Sequence, residues 1–301
     1  MNPKVTIGIC VRNAEKLVGE AIESVLAQDF PHDQIRIVFV DDGSEDRTLS
    51  IMEDYVQKMN MDVVVLHTSW RGLGSARNTV IAYAEGEYIL WVDGDMVLSP
   101  DFLTKLVRFM EKNPKAGIVK GRIALTPMGN WIATLEVYSR AAGKMIDYQS
   151  KRGQSKAVGT GGALWRIKAV KQVGGFDREL RGYNEDWDVE LRMRRAGWLF
   201  YTIDATCCDY ERYGLTWKSL WRRYWLRGYQ TRYFLEKNKG LVKHYRMFPP
   251  AAFLFGLLSS FTLFKLTRQK VVFLLAVQSA FKMTAWYVGF IRSRSFARSK
   301  K

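Results

Sequence analysis

Over the first hundred residues, short apolar runs alternate with longer amphipathic stretches, and this alternation limits the fold more than any other feature. VTIGICV (5–11) reads as a buried strand, and AEKLVGEAIESVLAQ (14–28) as a helix with apolar spacing of three and four. IRIVFVDDGS, DVVVLH and YILWVDGD repeat the strand signal, while DRTLSIMEDYVQKM and GSARNTVIAYAEG repeat the helical one. Such spacing predicts an α/β fold: a mainly parallel sheet with helices on both faces. In these sheets ligands sit just beyond the carboxyl ends of the strands. Asp41-Asp42 and Asp93-Asp95 both fall at such ends. One Asp-Gly pair is ordinary turn chemistry. Two acidic clusters brought by different strands to one edge suit a hard divalent cation, Mg²⁺ or Mn²⁺, which keeps positions open for phosphate oxygens. A nucleotide or nucleotide-sugar diphosphate is the ligand this implies.

Residues 101–205 are less regular. DFLTKLVRFMEKN is a predicted helix, AGIVKGRIAL a strand, and GTGGALWRIKAVKQVGGF a glycine-rich turn, a strand and a short helix. NEDWDVELRMRRAGW is a helix opened by Asn184, with acids in the first turn where the helix dipole favours them. The apolar fraction of 48% over 301 residues excludes global disorder. Cys10, Cys207 and Cys208 form neither a disulfide framework nor a zinc-ligand spacing, so a reducing, cytoplasmic setting is expected. VTIGIC ahead of Arg12 is too short for the apolar core of a signal peptide.

Four segments carry a family resemblance: VTIGICVRNAEKLVGEAIESVLAQDF, VDDGSEDRT, GLGSARNTVIAYAEGEYILWVDGD and GGFDRELRGYNEDWDVELRMRRAGW. In this order and spacing, from residue 5 to about 205, the chain resembles glycosyltransferase family 2, whose fold is GT-A (Rossmann-like). The resemblance implies inverting transfer from a nucleoside-diphosphate sugar. It places Asp42 at the nucleotide base with Asp41 as its neighbour, and Cys10 and Arg12 as lining of the base pocket. Many relatives carry an aromatic at the position of Arg12, so its guanidinium plane is expected to stack on the base instead. Asp95 should coordinate the metal, with Asp93 assisting through ribose or metal-bound water, and Arg71 and Arg77 should lie on the nucleotide side. For Arg77-Asn78 a packing and capping role stays open. Asp186 is the implied general base and Glu185 its positioning neighbour, the alternative being that 184–188 only cap a helix. Gly161 and Gly162, with Trp165, are expected on the acceptor side, with core packing as the other reading of Trp165. Many relatives place a histidine after the last strand as a further metal contact. Here TIDATCCDYERYG offers Asp209 or Glu211 instead.

The C-terminal part changes character. MFPPAAFLFGLLSSFTLFKL (247–266) and VVFLLAVQSAFKMTAWYVGFI (271–291) each have about the 20 residues needed to cross a bilayer as helix. Only TRQK separates them, so a helical hairpin follows, and basic residues crowd both outer flanks. The positive-inside rule then places the main domain at the cytoplasmic face of a membrane. Gln278 and Lys282 form a polar stripe that leaves open a soluble pair or helices lying in the interface. The boundaries expected are 1–235 for the catalytic domain and 236–301 for the juxtamembrane segment and hairpin. A net charge of +16 suits an anionic partner. WKSLWRRYWLRGYQTRYF interleaves arginine with aromatics, as single-strand binders do, but its place just before the hairpin favours membrane lipids over nucleic acid. Arg222, Arg223 or Arg227 could also reach the diphosphate. The expected acceptor is a lipid or lipid-linked glycan. The rivals are transfer to a bare polyprenyl phosphate and a non-catalytic membrane scaffold of the same fold.

Overall fold

The computed structural model describes residues 3–149, 158–209, 215–239 and 248–299, with backbone alone for 141–149, 209 and 294–299. β1 (Val5–Val11), α1 (Val18–Leu26), β2 (Ile35–Asp42), α2 (Thr48–Val56), β3 (Asp62–Thr68), α3 (Leu73–Tyr83) and β4 (Tyr88–Trp91) follow the alternation seen in the sequence. Then come β5 (Met96–Leu98), α4 (Phe102–Lys112), β6 (Ala116–Ile123), α5 (Trp131–Gln149), β7 (Ala163–Arg166), α6 (Ile167–Gln172), α7 (Glu185–Arg195) and β8 (Leu199–Asp209). Helix α1 begins four residues later than the apolar spacing starts at Ala14. Leu17 and Val18 both donate to the Ala14 carbonyl in a turn, and the Ala14 N–H donates to Thr48 Oγ1 at 2.7 Å.

The strands form one sheet in the order β3-β2-β1-β4-β7-β6-β8-β5. β3, β2, β1 and β4 are parallel neighbours, so their carboxyl ends share an edge, and the direction of winding reverses between β1 and β4. The second half is mixed. β7 runs antiparallel to β4 and β6, and β5 antiparallel to β8. A long excursion through 124–162 separates β6 from β7, which frees β7 from the right-handed crossover that would make it parallel. This reversal puts the start of β7, not its end, at the carboxyl end of β4: Ala163 pairs with Trp91.

Strand alternation divides the core between the two faces. Ile7, Ile9, Ile37, Phe39 and Leu90 pack with Val18, Ile22 and Val25 of α1, while Val38, Val40, Ile89 and Trp91 pack with Ala76 and Val80 of α3. Gly8 lets the second layer close down, since a Cβ there would lie 2.7 Å from Val80 and 3.0 Å from Trp91.

By contact density the chain divides into two compact units, Met1–Ala124 with Ser150–Tyr210 and Leu125–Gln149 with Glu211–Lys301. The second is helical: α5, α8 (Trp217–Lys237), α9 (Pro249–Thr267) and α10 (Leu275–Ser299), with a 3₁₀ turn at Lys270–Leu274. Helix α8 therefore groups with the C-terminal helices, and so does α5 from mid-sequence, rather than dividing from them near residue 235. Gly228 of α8 sits against the Trp286 backbone of α10, and Gly289 of α10 against that of Trp225. One turn before Trp286, Lys282 of α10 donates to Glu136 Oε2 at 2.8 Å and Ser139 Oγ at 2.7 Å of α5. Tyr224 donates to Glu136 Oε1 at 3.0 Å, and Arg223 and Arg140 lie within 4 Å of the same oxygen. Burial alone would raise the Glu136 carboxyl, but Lys282, Arg140 and Arg223 outweigh it and hold it down at about 2. The polar stripe read from the sequence is buried as well: Gln278 donates to the Ile132 carbonyl at 3.0 Å.

Replacing Gly228 with alanine sets two effects against each other. Alanine favours helix by about 1 kcal/mol, but its methyl would meet the Trp286 carbonyl group, with C at 2.7 Å. Backbone cannot rotate away, and overpacking costs about 1–3 kcal/mol. Gly228→Ala is expected to lower the melting temperature; an unchanged or raised value in a thermal melt would mean that α8 and α10 are less closely packed.

Candidate functional site

The carboxyl edge of β1, β2 and β4 gathers most of the residues singled out in the sequence. Asp42 ends β2 and is 6% exposed; its two oxygens accept the N–H groups of Arg71 at 2.8 Å and Gly72 at 2.9 Å. Asp41 is fully buried, accepts from Ser44 Oγ, and meets His67 Nδ1 at 2.7 Å. Both aspartates thus brace the loops around the edge, and the Arg71 side chain lies exposed on it. Burial pushes the Cys10 thiol up to about 12, so it lines this region as a neutral group. Arg12 donates to the Gly43 carbonyl at 3.2 Å and lies over the Trp70 ring at 5.5 Å. Trp70 is 51% exposed. Arg12 and Trp70 thus form a guanidinium–indole pair at this edge.

Asp93 follows β4, and Arg77 of α3 comes to it from beneath. Arg77 is buried, 3.6 Å from Asp93 Oδ1 and hydrogen-bonded at 2.6 Å to Glu185 Oε1 of α7. One guanidinium thus ties the acidic turn after β4 to the first residue of α7. Arg77 thus adds an ion-pair role to packing, since its guanidinium also lies over the Trp91 and Phe176 rings. Asn78 packs, bonding the Phe176 N–H and carbonyl at 2.8 Å each. Burial and Asp186 push the Glu185 carboxyl up to about 7, with Arg77 working against both.

Four carboxylates project from the first two turns of α7. Glu185 faces Arg77, Asp188 is fully buried and bonded to Arg192 at 2.8 Å, and Glu190 is 2% exposed. Glu190 accepts the N–H of Val158 at 3.2 Å and of Gly159 at 2.5 Å. Asp186 is half-buried and faces no cation within ion-pair distance among the described residues; a Cβ on Gly159 would lie 3.3 Å from its Oδ2. Farther along the same segment a Cβ on Gly161 would collide with Asp93 Oδ2, and the Gly162 N–H bonds the Trp91 carbonyl at 2.9 Å. A strap of small residues, 159–162, therefore runs from the carboxylate of α7 to the one after β4. Its glycines are required: Gly159 and Gly162 have φ of +71° and +67°.

Of the two readings of Trp165 the structure shows core packing: the side chain is fully buried, stacked on Phe176 at 5.5 Å and edge-on to Trp91 at 6.2 Å. Asp93 and Asp95 are hard oxygen donors two residues apart, a set that suits Mg²⁺ or Mn²⁺ sharing its remaining positions with water and phosphate. Among the described residues no group of three metal-ligating side chains gathers. Strand register sets Asp209 opposite Met96, next in the chain to Asp95; the Asp209 side chain and Glu211 lie outside the described residues. Arg223, one of the three arginines considered for the diphosphate, is buried beside Glu136. His67, Trp70 and Glu190 contact residues of the candidate site, and motif reading does not reach them. The Asp41–His67 register of β2 and β3 is the signal that would have found the first.

Residues 6–174 match the family model described as Glycosyl transferase family 2. The poly(ribitol-phosphate) beta-N-acetylglucosaminyltransferase TarS of Staphylococcus aureus is 36% identical over 110 residues, covering 36% of this chain and 19% of TarS. The chain thus spans about a fifth of that relative's length. The probable glycosyltransferase YdaM of Bacillus subtilis is 24% identical over 87% of this chain and 66% of its own. Among solved structures, the mannosyltransferase PcManGT of Pyrobaculum calidifontis, in complex with GDP-Man and Mn²⁺, superposes with a TM-score of 0.70 at 17% identity, over 97% of this chain and 88% of that one. A TarS fragment with UDP-GlcNAc gives 0.51 at 17% identity, over 97% and 92%. At such identities the superpositions establish the GT-A fold.

Glu190 carries a test of this geometry. Its carboxyl, ordinarily near 4.5, is pushed up to about 7 by burial and by Asp186, against the Gly159 and Val158 N–H groups and Lys120. A folded-state value above the unfolded one means that stability falls as pH rises from about 4.5 to about 7 and stays lower above it. Glu190→Gln keeps an acceptor oxygen but cannot ionise. Relative to wild type it should gain stability across that window, by on the order of 1–3 kcal/mol. Thermal melts at mildly acidic and mildly alkaline pH measure this; a wild-type-to-variant difference that does not move with pH contradicts it.

Proposed function

From a chain that belongs to glycosyl transferase family 2, we propose a metal-dependent, inverting glycosyltransferase that moves a sugar from a nucleoside-diphosphate sugar to a lipid or lipid-linked glycan acceptor. The observation that carries the proposal is the strap 159–162, which abuts Asp186 at one end and Asp93 at the other. A donor carboxylate and a prospective base then flank one short piece of backbone.

The nucleotide would occupy the edge framed by Asp42, Cys10 and the Arg12–Trp70 pair, its base against the guanidinium and indole planes. Asp93 and Asp95 would hold Mn²⁺ or Mg²⁺, which when bound neutralises charge on the diphosphate. Arg77 keeps Asp93 in place and carries positive charge toward the same side. Inversion requires one in-line displacement at the anomeric carbon, with the acceptor hydroxyl losing its proton as it attacks. Asp186 is suited to take that proton because its neighbours Glu185 and Asp188 already engage cations. Relatives that act on poly(ribitol-phosphate) by name, and a helical unit with two helices long and apolar enough to cross a membrane, favour a glycan or lipid-borne acceptor at a membrane.

The test is a thermal-shift panel of nucleoside diphosphates and nucleotide sugars with and without Mn²⁺, since binding to the native state raises its apparent stability. One nucleotide should give a metal-dependent shift that Asp95→Ala removes. Asp186→Asn should keep the shift and lose roughly 10²–10⁴-fold in turnover. A folded protein that shifts with no nucleotide, or an Asp186→Asn variant with wild-type turnover, would sink the proposal.

A further inference from the structure

The helical unit raises a question that its two apolar helices do not answer by length. A crossing helix over 270–293 has Lys282 at its midpoint. Helix α8 runs alongside it in the same direction: Trp217 and Trp221 pack on Phe281, Tyr224 joins Ala285 in one cluster, and Trp225 lies against Gly289. Whatever depth α10 takes, residues 217–229 of α8 share it. That stretch exposes Lys218, Arg222 and Arg227. A bilayer core disfavours each such cation by roughly a hundredfold. Glu136 and Arg223 would be carried to the same depth.

The rest of the unit has the composition of a surface-seated body. Helix α9 buries only the stripe Ala252, Gly256, Ser260 and Leu263, which faces the 272–276 segment, and it exposes Phe253, Leu254, Leu258 and Phe261. Val277 and Ile291 extend the apolar surface along α10. Lys265, Arg268, Lys270 and Arg292 are exposed at its margins. An apolar face rimmed by cations, beside a helix whose outer side is cationic, is the pattern of an element lying in the headgroup–acyl boundary of an anionic leaflet.

We propose that the helical unit is monotopic: α9 and the outer side of α10 lie in one leaflet of an anionic bilayer, and the turn at 268–270 stays on the face from which the chain enters. This deepens the membrane part of the functional reading and rests on it, but it replaces a crossing hairpin with a platform. The polar stripe of Gln278 and Lys282 then faces protein, and no charged residue of α8 enters hydrocarbon.

Two measurements on the full chain test it. An epitope placed at Gln269 should be reached by antibody from the same side of sealed membrane vesicles as one placed at Lys239; a Gln269→Cys variant probed with an impermeant maleimide makes the same measurement without an insertion. Access from the opposite side only, or from neither side until detergent is added, overturns the proposal. Separately, the triple variant Lys265→Gln, Arg268→Gln, Lys270→Gln should bind phosphatidylglycerol-containing vesicles tenfold to a hundredfold more weakly than wild type, and bind phosphatidylcholine vesicles unchanged. Equal binding of both proteins to the anionic vesicles, or co-flotation of wild type with neither, also overturns it. Retained nucleotide shifts in either case leave the donor-site reading standing, so the two failures separate.

Discussion

The buried Arg77 guanidinium is the constraint on which the catalytic unit depends. It comes from α3, in the first parallel half of the sheet, and it engages Glu185 of α7, 108 residues later, as well as Asp93. Its guanidinium carbon lies 6.0 Å from the centre of the Trp91 ring and 5.6 Å from that of Phe176. Trp165, stacked on Phe176, belongs to the same aromatic floor. A buried pair broken on one side leaves an uncompensated charge, at a cost of about 3–5 kcal/mol. The position of α7 relative to β4 is therefore held by a charge as well as by packing. Everything else at the edge inherits that spacing, including the distance between Asp186 and Asp93 that the glycine strap spans.

The strap owes its place to topology. A parallel β7 would deliver its amino end to the opposite edge of the sheet, away from Asp42 and Asp93. Running antiparallel between β4 and β6, it brings 159–162 to the carboxyl edge instead. Glu190 then fixes the strap from below through two backbone N–H groups. The same helix supplies the prospective base and the anchor one turn further on. Their separation is thus set by helical pitch and is insensitive to loop motion.

Much of this was legible in the sequence. The βα alternation gave the parallel half, and the acidic strand ends gave Asp42, Asp93 and Asp95, because both signals are local. Asp186 came from an ordered set of motifs. What escaped was pairing. His67 meets Asp41 only through the β2–β3 register, and Trp70 meets Arg12 only once two loops share an edge. Strand parity would have decided between the readings of Trp165, since Ala163 and Trp165 share one core face while Leu164 takes the other. Helix α5 was missed as an element because its partners, α8 and α10, lie far along the chain.

The chain passes between its two units three times, at 124–125, 149–150 and 210–211. The helical unit is therefore not an appendage that can be trimmed away. A fragment ending before α9 would retain Glu136 and Arg223 but lose Lys282, stranding α5 in the middle of a catalytic sequence without the helix that neutralises it. Soluble expression by truncation is thus a matter of redesigning α5, not of choosing an end point. By the same logic, the two units cannot be exchanged independently between relatives by recombination at a single junction.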